Sequence, residues 1–353
     1  MSNIVKQYHL LPLFKTFIAA SKSGRRLTAS KNKLSAGTIE QYRCAYKLLA
    51  EFELKHNTIL RIALLKKQSI LILKKEKKYW GNFFKNFCQF LYKDKRHFDQ
   101  YISSVCKVLR TFFNYLIKDK NLPVGNFHHL FRIVTPVYSP IVLEPFQLQF
   151  LLQDQAFEQS LPKHLKRTKD IFVFGCTVGL RYTDLMKLKK DNIIIAPSGS
   201  FLQVYTQKTG TLVKLPLPTY LIPIINNYKC KSGRYILPRL SNVNFNLQIK
   251  EVIQRAGWTY ALPKIRHRMG KPVELKTKEK NTLRFCDQIS AHTMRRTAIT
   301  TLLMLGVPEQ AVRRISGHAP GSKEFYRYIA LAEDYVHNHV RKAYEKLIET
   351  KEL

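Results

Sequence analysis

Histidine and arginine spaced three residues apart share one face of a helix and can reach a single anion together. The stretch SAHTMRRTAITTLLMLGVPEQAVRRISGHAPGSKEFYRYI, Ser290 to Ile329, offers such a pair in His292 and Arg295. Ser290 is suited to cap a helix beginning at Ala291, Gly306 to end it, and Pro308 to sit in the first turn of the next. Ser316-Gly317 then breaks the chain, which puts His318 on a turn. Ile299, Leu302, Leu303, Leu305, Val312 and Ile315 supply the apolar side of both helices, leaving His292, Arg295 and His318 to converge on a neighbouring cavity. Upstream, Arg181 stands between two helices and Lys208 at a hairpin tip. Arginines offer paired donors to phosphate oxygens, and histidine exchanges a proton near neutral pH, so the set suits a pentacoordinate phosphate. Each residue taken singly reads better as a solvated helix face or a core-satisfied histidine; only the set points to phosphate.

The elements that position these residues fall in two regions. The 353 residues, 45% hydrophobic and 12% aromatic, are enough for two cores of ordinary size. TPVYSP, Thr135 to Pro140, carries two prolines that disfavour helix and reads as an extended linker. The predicted organisation is a helical domain over 1–134, a linker over 135–140 and a second domain over 141–353. In the first, LSAGTIEQYRCAYKLLAEF places Ile39, Tyr42, Ala45, Tyr46, Leu49 and Phe52 on one helical stripe behind Ser35 as N-cap. Three further amphipathic stretches, the first of them ended by Gly24, complete a four- or five-helix bundle.

The second region opens with a helix near Pro145, then an apolar helix that stops at Gly179 and another starting after Thr183. SFLQVYTQKTGTLVKLPLP reads as strand, turn and strand with Lys208 at the tip. The segment from Trp258 to Ile289 reads as loop-rich and basic, and the chain closes in a helical tail. The fold class is therefore an all-α N-terminal bundle with a mainly α, α+β second domain containing a small antiparallel sheet.

Sixty Lys and Arg against 24 Asp and Glu give a formal charge of +36, densest in the N-terminal region. Such an excess is best tolerated by a protein whose partner is a polyanion, nucleic acid above all. No apolar run is long enough to cross a membrane and the start lacks a signal-peptide pattern, so a cytoplasmic, nucleoid-associated protein is expected. The six scattered cysteines form no metal-binding spacing.

The order Arg in a G-L-R box, hairpin Lys, H-x-x-R, G-H and then Tyr resembles the tyrosine recombinase (phage integrase) family. GLRYTDLMKLK and the SGH ending look most like integrases and transposon recombinases of Bacteroidota mobile elements. The likeness spans nearly the whole chain, because the helical N-terminal region is similar to the family's core-binding domain. It implies that Arg181 and Arg295 clamp the scissile phosphate with His318 as a further donor, that His292 accepts a proton, and that Lys208 protonates the leaving 5′ oxygen. Asp184 matches a supporting acidic position. A tyrosine would attack to give a 3′-phosphotyrosyl link, resolved through a Holliday junction, with no cofactor or metal. The absence of a P-loop and of a two-metal carboxylate cluster agrees with this.

Tyr328 fits the family's position for the nucleophile, with Phe325 packed inward; Tyr326 is the runner-up, because Ala319 to Ser322 is one residue longer than the usual turn. The implied partners are double-stranded recombination sites, a homotetramer joined through the C-terminal tail, and accessory DNA-bending or directionality proteins. Relaxation of the type IB topoisomerase kind shares this chemistry, and a non-enzymatic basic DNA-binding protein would also explain the charge.

Overall fold

The computed structural model describes residues 6–28, 31–207, 210–228, 233–318 and 321–349. The chain forms two compact units, Met1–Val137 with Lys264–Leu275, and Tyr138–Pro263 with Lys276–Leu353.

In the first unit, β1 (Gln7–His9) leads into α1 (Leu10–Ser23), which ends at Gly24 in the left-handed region. The Ser35 side chain accepts from the Thr38 N–H and caps α2 (Ala36–His56), as its place ahead of the apolar stripe predicts. Leu48 joins the buried stripe, while Tyr46 lies only half inside. Strand β2 (Arg61–Ala63) pairs antiparallel with β1, a contact that three-residue strands do not advertise in sequence. Then come α3 (Ile70–Lys93), capped by Ser69, and α4 (Asp99–Lys118). Their aromatic faces make the core: Trp80 meets Phe113 edge-on at 4.9 Å, and Phe14, Phe17, Phe87, Phe112 and Phe131 are fully buried beside them.

The second unit runs through α5 (Pro145–Gln153), α6 (Gln155–Ser160), α7 (Lys163–Val178) and α8 (Tyr182–Leu185), the last beginning one residue before Thr183 rather than after it. Helix α7 is buried along most of its length, which suits the run DIFVFGCTV. Strands β3 (Ile193–Ala196), β4 (Gly199–Tyr205) and β5 (Leu212–Pro216) form an antiparallel sheet in sequence order. The sequence predicts only β4 and β5; the run of three isoleucines in β3 lacks the alternation that marks a half-buried strand. Helices α9 (Ile222–Tyr228) and α10 (Asn242–Arg255) follow.

Next the chain leaves this unit. Strands β6 (Lys264–Arg268) and β7 (Lys271–Leu275) form a two-residue hairpin within the stretch that reads as loop-rich, and the hairpin belongs to the first unit, not to the second region where the sequence reading puts it. The buried Asp99 carboxylate accepts from the N–H groups of Met269 (2.9 Å) and Gly270 (3.0 Å) and from the Tyr92 hydroxyl (2.8 Å). The Arg268 guanidinium lies over the Phe98 ring at 4.5 Å and donates to the Arg96 carbonyl. Met269 and Gly270 have φ of 54° and 74°, the left-handed pair that a tight hairpin turn requires.

Back in the second unit come α11 (Phe285–Gln288), α12 (Ala291–Met304), α13 (Glu309–Ser316) and α14 (Lys323–Glu349). Helix α12 packs on α7, α14 and α13, and α13 also packs on β5. The C-terminal tail and the FYRYI segment are one continuous helix.

Candidate active site

The site grows from two helix ends. Gly179 ends α7 at φ 66°, a conformation that favours glycine, and a Cβ there would stand a tight 3.2 Å from the Ala298 Cβ of α12. Leu180 is fully buried and pins the turn. Arg181 is then delivered at the head of α8, half-buried, with a buried Nη1 that makes no hydrogen bond among the described residues.

Arg295 faces it from α12, at 2% exposure. Its Nη1 donates to the Gly179 carbonyl (3.0 Å), its Nη2 donates to the Ser316 carbonyl, and Nη2 also lies 3.5 Å from His318 Nδ1. Burial first, then the charge of Arg181, pushes its pKa down to about 10. Ser290 begins α12 with a capping box to Thr293, as its place before the apolar run predicts.

Gly317, in the left-handed region, ends α13 and turns His318 back toward Arg295. The ring is tied through Nδ1 to Ser316 Oγ at 2.8 Å, which leaves Nε2 as the nitrogen without a hydrogen bond among the described residues. Burial, followed by Arg295, Arg181 and Arg313, holds its pKa down to about 4. The His292 ring keeps solvent access yet is crowded by protein. Desolvation, then Arg296 and Arg295, lowers it likewise to about 4.

Asp184 is buried on α8. Its Oδ1 accepts from the Gln207 N–H at 3.2 Å, so it anchors the loop between β4 and β5 at the residue before Lys208. Lys208 itself lies outside the described residues, as do Ala319 and Pro320 of the turn after His318.

The two tyrosines differ in direction. Tyr328 is 6% exposed and packs with Ile299, Val312 and Phe325, its ring 6.0 Å from that of His318. Burial raises its pKa, opposed by Arg296 and Arg295. Tyr326 is 55% exposed, with the Arg313 guanidinium 5.2 Å from its ring.

The second unit thus gathers Arg181, His292, Arg295, His318, Tyr328 and Asp184, together with Arg296, Arg313, Ser316 and Glu324, which sequence reasoning did not single out. Arg296 could have been noticed, since it stands four residues after His292 on the same face. Cations outnumber carboxylates here, the character of an anion site. Among the described residues no group of three or more His, Cys, Asp or Glu is placed to hold a metal ion, and no helix is long and apolar enough to cross a membrane.

A helical bundle joined to a mainly helical unit with a small antiparallel sheet is the tyrosine-recombinase fold. The chain is similar to XerH site-specific recombinase in a post-cleavage complex with palindromic difH substrate (TM-score 0.60, 12% identity, covering 94% of each chain). It is similar also to a lambda integrase tetramer bound to a Holliday junction (TM-score 0.54, 14% identity, 90% of this chain and 79% of that one). A third likeness is the Tn1549 transposon integrase with circular intermediate DNA (TM-score 0.53, 15% identity, 96% of this chain and all of that one). No protein-family model and no curated protein matches the sequence.

Proposed function

We propose that the chain is a site-specific DNA recombinase of a mobile element, which cuts and rejoins strands through a phosphotyrosyl ester. What supports this is the grouping of Arg295 and His318, 3.5 Å apart at Nη2 and Nδ1, with Arg181 near enough for its charge to act on both, beside the inward-turned Tyr328. Arg181 and Arg295 neutralise the non-bridging oxygens as charge builds on phosphorus, and His318 Nε2 contributes a further hydrogen bond. His292, held neutral, takes the proton of the Tyr328 hydroxyl. The phenolic oxygen bonds to phosphorus, the bond to the 5′ oxygen breaks, and that oxygen gains its proton from Lys208, on the loop anchored by Asp184. Attack by another strand's 5′-hydroxyl on the ester then releases the tyrosine.

Helices α1 to α4, with the strongest positive excess, would form the core-binding domain. The outer stripe of α14, exposed at Val336, Val340 and Tyr344 with four-residue spacing, supports docking of this helix on a neighbouring subunit in a tetramer.

The test is a nicked DNA carrying the sequences that flank the gene, on which cleavage traps the covalent adduct. Tyr328→Phe should abolish the adduct with DNA binding intact, and Tyr326→Phe should retain it. The reverse pattern would move the nucleophile to Tyr326, and no adduct from the parent protein on any flanking end would favour a non-enzymatic DNA-binding role.

A further inference from the structure

Ser316 is buried at the end of α13, where its hydroxyl meets its own helix on one side and a histidine ring on the other. Oγ donates to the Val312 carbonyl at 2.7 Å, with the Arg313 carbonyl also in range at 3.3 Å, and His318 Nδ1 lies 2.8 Å away. A hydroxyl has a single proton, and a carbonyl can only accept. The proton therefore points to the backbone, the bond a serine commonly makes to the carbonyl four residues earlier in a helix. Toward His318 the oxygen presents lone pairs, so the short contact is a hydrogen bond only if the ring donates it. A bare Nδ1 would set lone pair against lone pair.

The neutral ring thus carries its proton on Nδ1 and a lone pair on Nε2, the nitrogen without a hydrogen bond among the described residues. Arg295 Nη2 stands 3.5 Å from Nδ1 but donates to the Ser316 carbonyl. The charged and titratable groups that face the ring are Arg295 and His292 from α12, Arg181 from α8 and Arg313 from α13, with the Tyr328 ring of α14 6.0 Å away. A phosphodiester near neutral pH is an anion with no proton to give, and a lone pair on Nε2 repels it. As imidazolium the same ring donates from both nitrogens, to Ser316 and to a phosphate oxygen.

We infer that Ser316 is a positioning residue: it fixes His318 as the Nδ1–H tautomer, so that seating the scissile phosphate draws a proton from solvent onto Nε2. The inference rests on the reading of this cluster as a phosphate site. It adds a cation to a group already crowded with arginines only when an anion is there to balance it.

Two measurements on the full chain test it. Nitrogen-15 NMR of histidine-labelled protein, with His318 assigned through His318→Asn, reads which ring nitrogen is protonated. The parent at pH 7 should show Nδ1 protonated and Nε2 bare. Ser316→Ala leaves Nδ1 facing a donor, Arg295 Nη2, and should move the proton to Nε2. Calorimetry of binding to uncut flanking-end DNA, in buffers of different ionisation enthalpy, counts protons: the parent should take up about one more than His318→Asn. Ser316→Ala, able to donate from a neutral ring, should lose most of that uptake. A parent ring protonated on Nε2 overturns the inference, and needs no variant to fold except the one used for assignment. An unchanged tautomer in Ser316→Ala overturns the role of Ser316. Equal proton counts for the parent and His318→Asn also overturn it: alone if the parent still forms the adduct on nicked DNA, and together with the phosphate reading if it forms none.

Discussion

His318 and His292 are desolvated and sit among arginines, and that setting keeps both neutral in the folded protein, with pKa values near 4 against an ordinary value of about 6.5. Because their folded pKa is depressed, the unfolded chain takes up protons first as pH falls. Their contribution to stability is therefore fully present above pH 6.5 and is lost progressively between 6.5 and 4. Thermal denaturation should show a falling midpoint across that window, and His318→Asn should be less acid-sensitive than the parent; equal sensitivity would mean that other groups set the slope. Bound phosphate should oppose the loss by favouring imidazolium. The legible residues were those with a local signature: Arg181 follows a glycine that ends a helix, His292 and Arg295 share a face, and His318 follows a helix stop. Ser316 is legible only as a helix stop, because its bond to the His318 ring depends on how the turn after α13 closes, which no local spacing encodes.

Helix α12 has to lie close against α7 for Arg295 to reach the Gly179 carbonyl. Gly175 allows this, since a Cβ there would fall 2.3 Å from Met294 Sδ and 3.1 Å from Met294 Cβ, in a fully buried environment. Gly175→Ala should cost about 1–3 kcal/mol of stability, read by denaturant unfolding, and should slow cleavage by displacing Arg295. A neutral effect on both would show that the helices part freely. Helices were readable at this scale because their apolar stripes run over many turns. The β6–β7 hairpin was not, because Met-Gly is a weak turn signal compared with Asn-Gly. What compensates is Asp99, more than 160 residues away in sequence, whose carboxylate receives both turn N–H groups. The helical tail is legible in sequence, but its start at Lys323, ahead of Tyr328, is not.

Over the whole molecule, a net charge of +36 makes the proposed DNA partnership an electrostatic one. If six to ten phosphates are contacted, affinity should fall about 10³- to 10⁵-fold between 50 and 200 mM salt, measurable by fluorescence anisotropy. Affinity nearly independent of salt would refute phosphate-dominated binding.

The return of Lys264–Leu275 to the first unit makes the order of the gene differ from the order of the fold. The polypeptide crosses between units at 137/138, 263/264 and 275/276, so cutting the linker leaves two covalent crossings intact. A gene fragment stopping at residue 137 would encode α4 without the strands that occupy Asp99 and cover Phe98. Shuffling this first unit into another protein, by evolution or at the bench, thus requires two separate pieces of coding sequence to travel together.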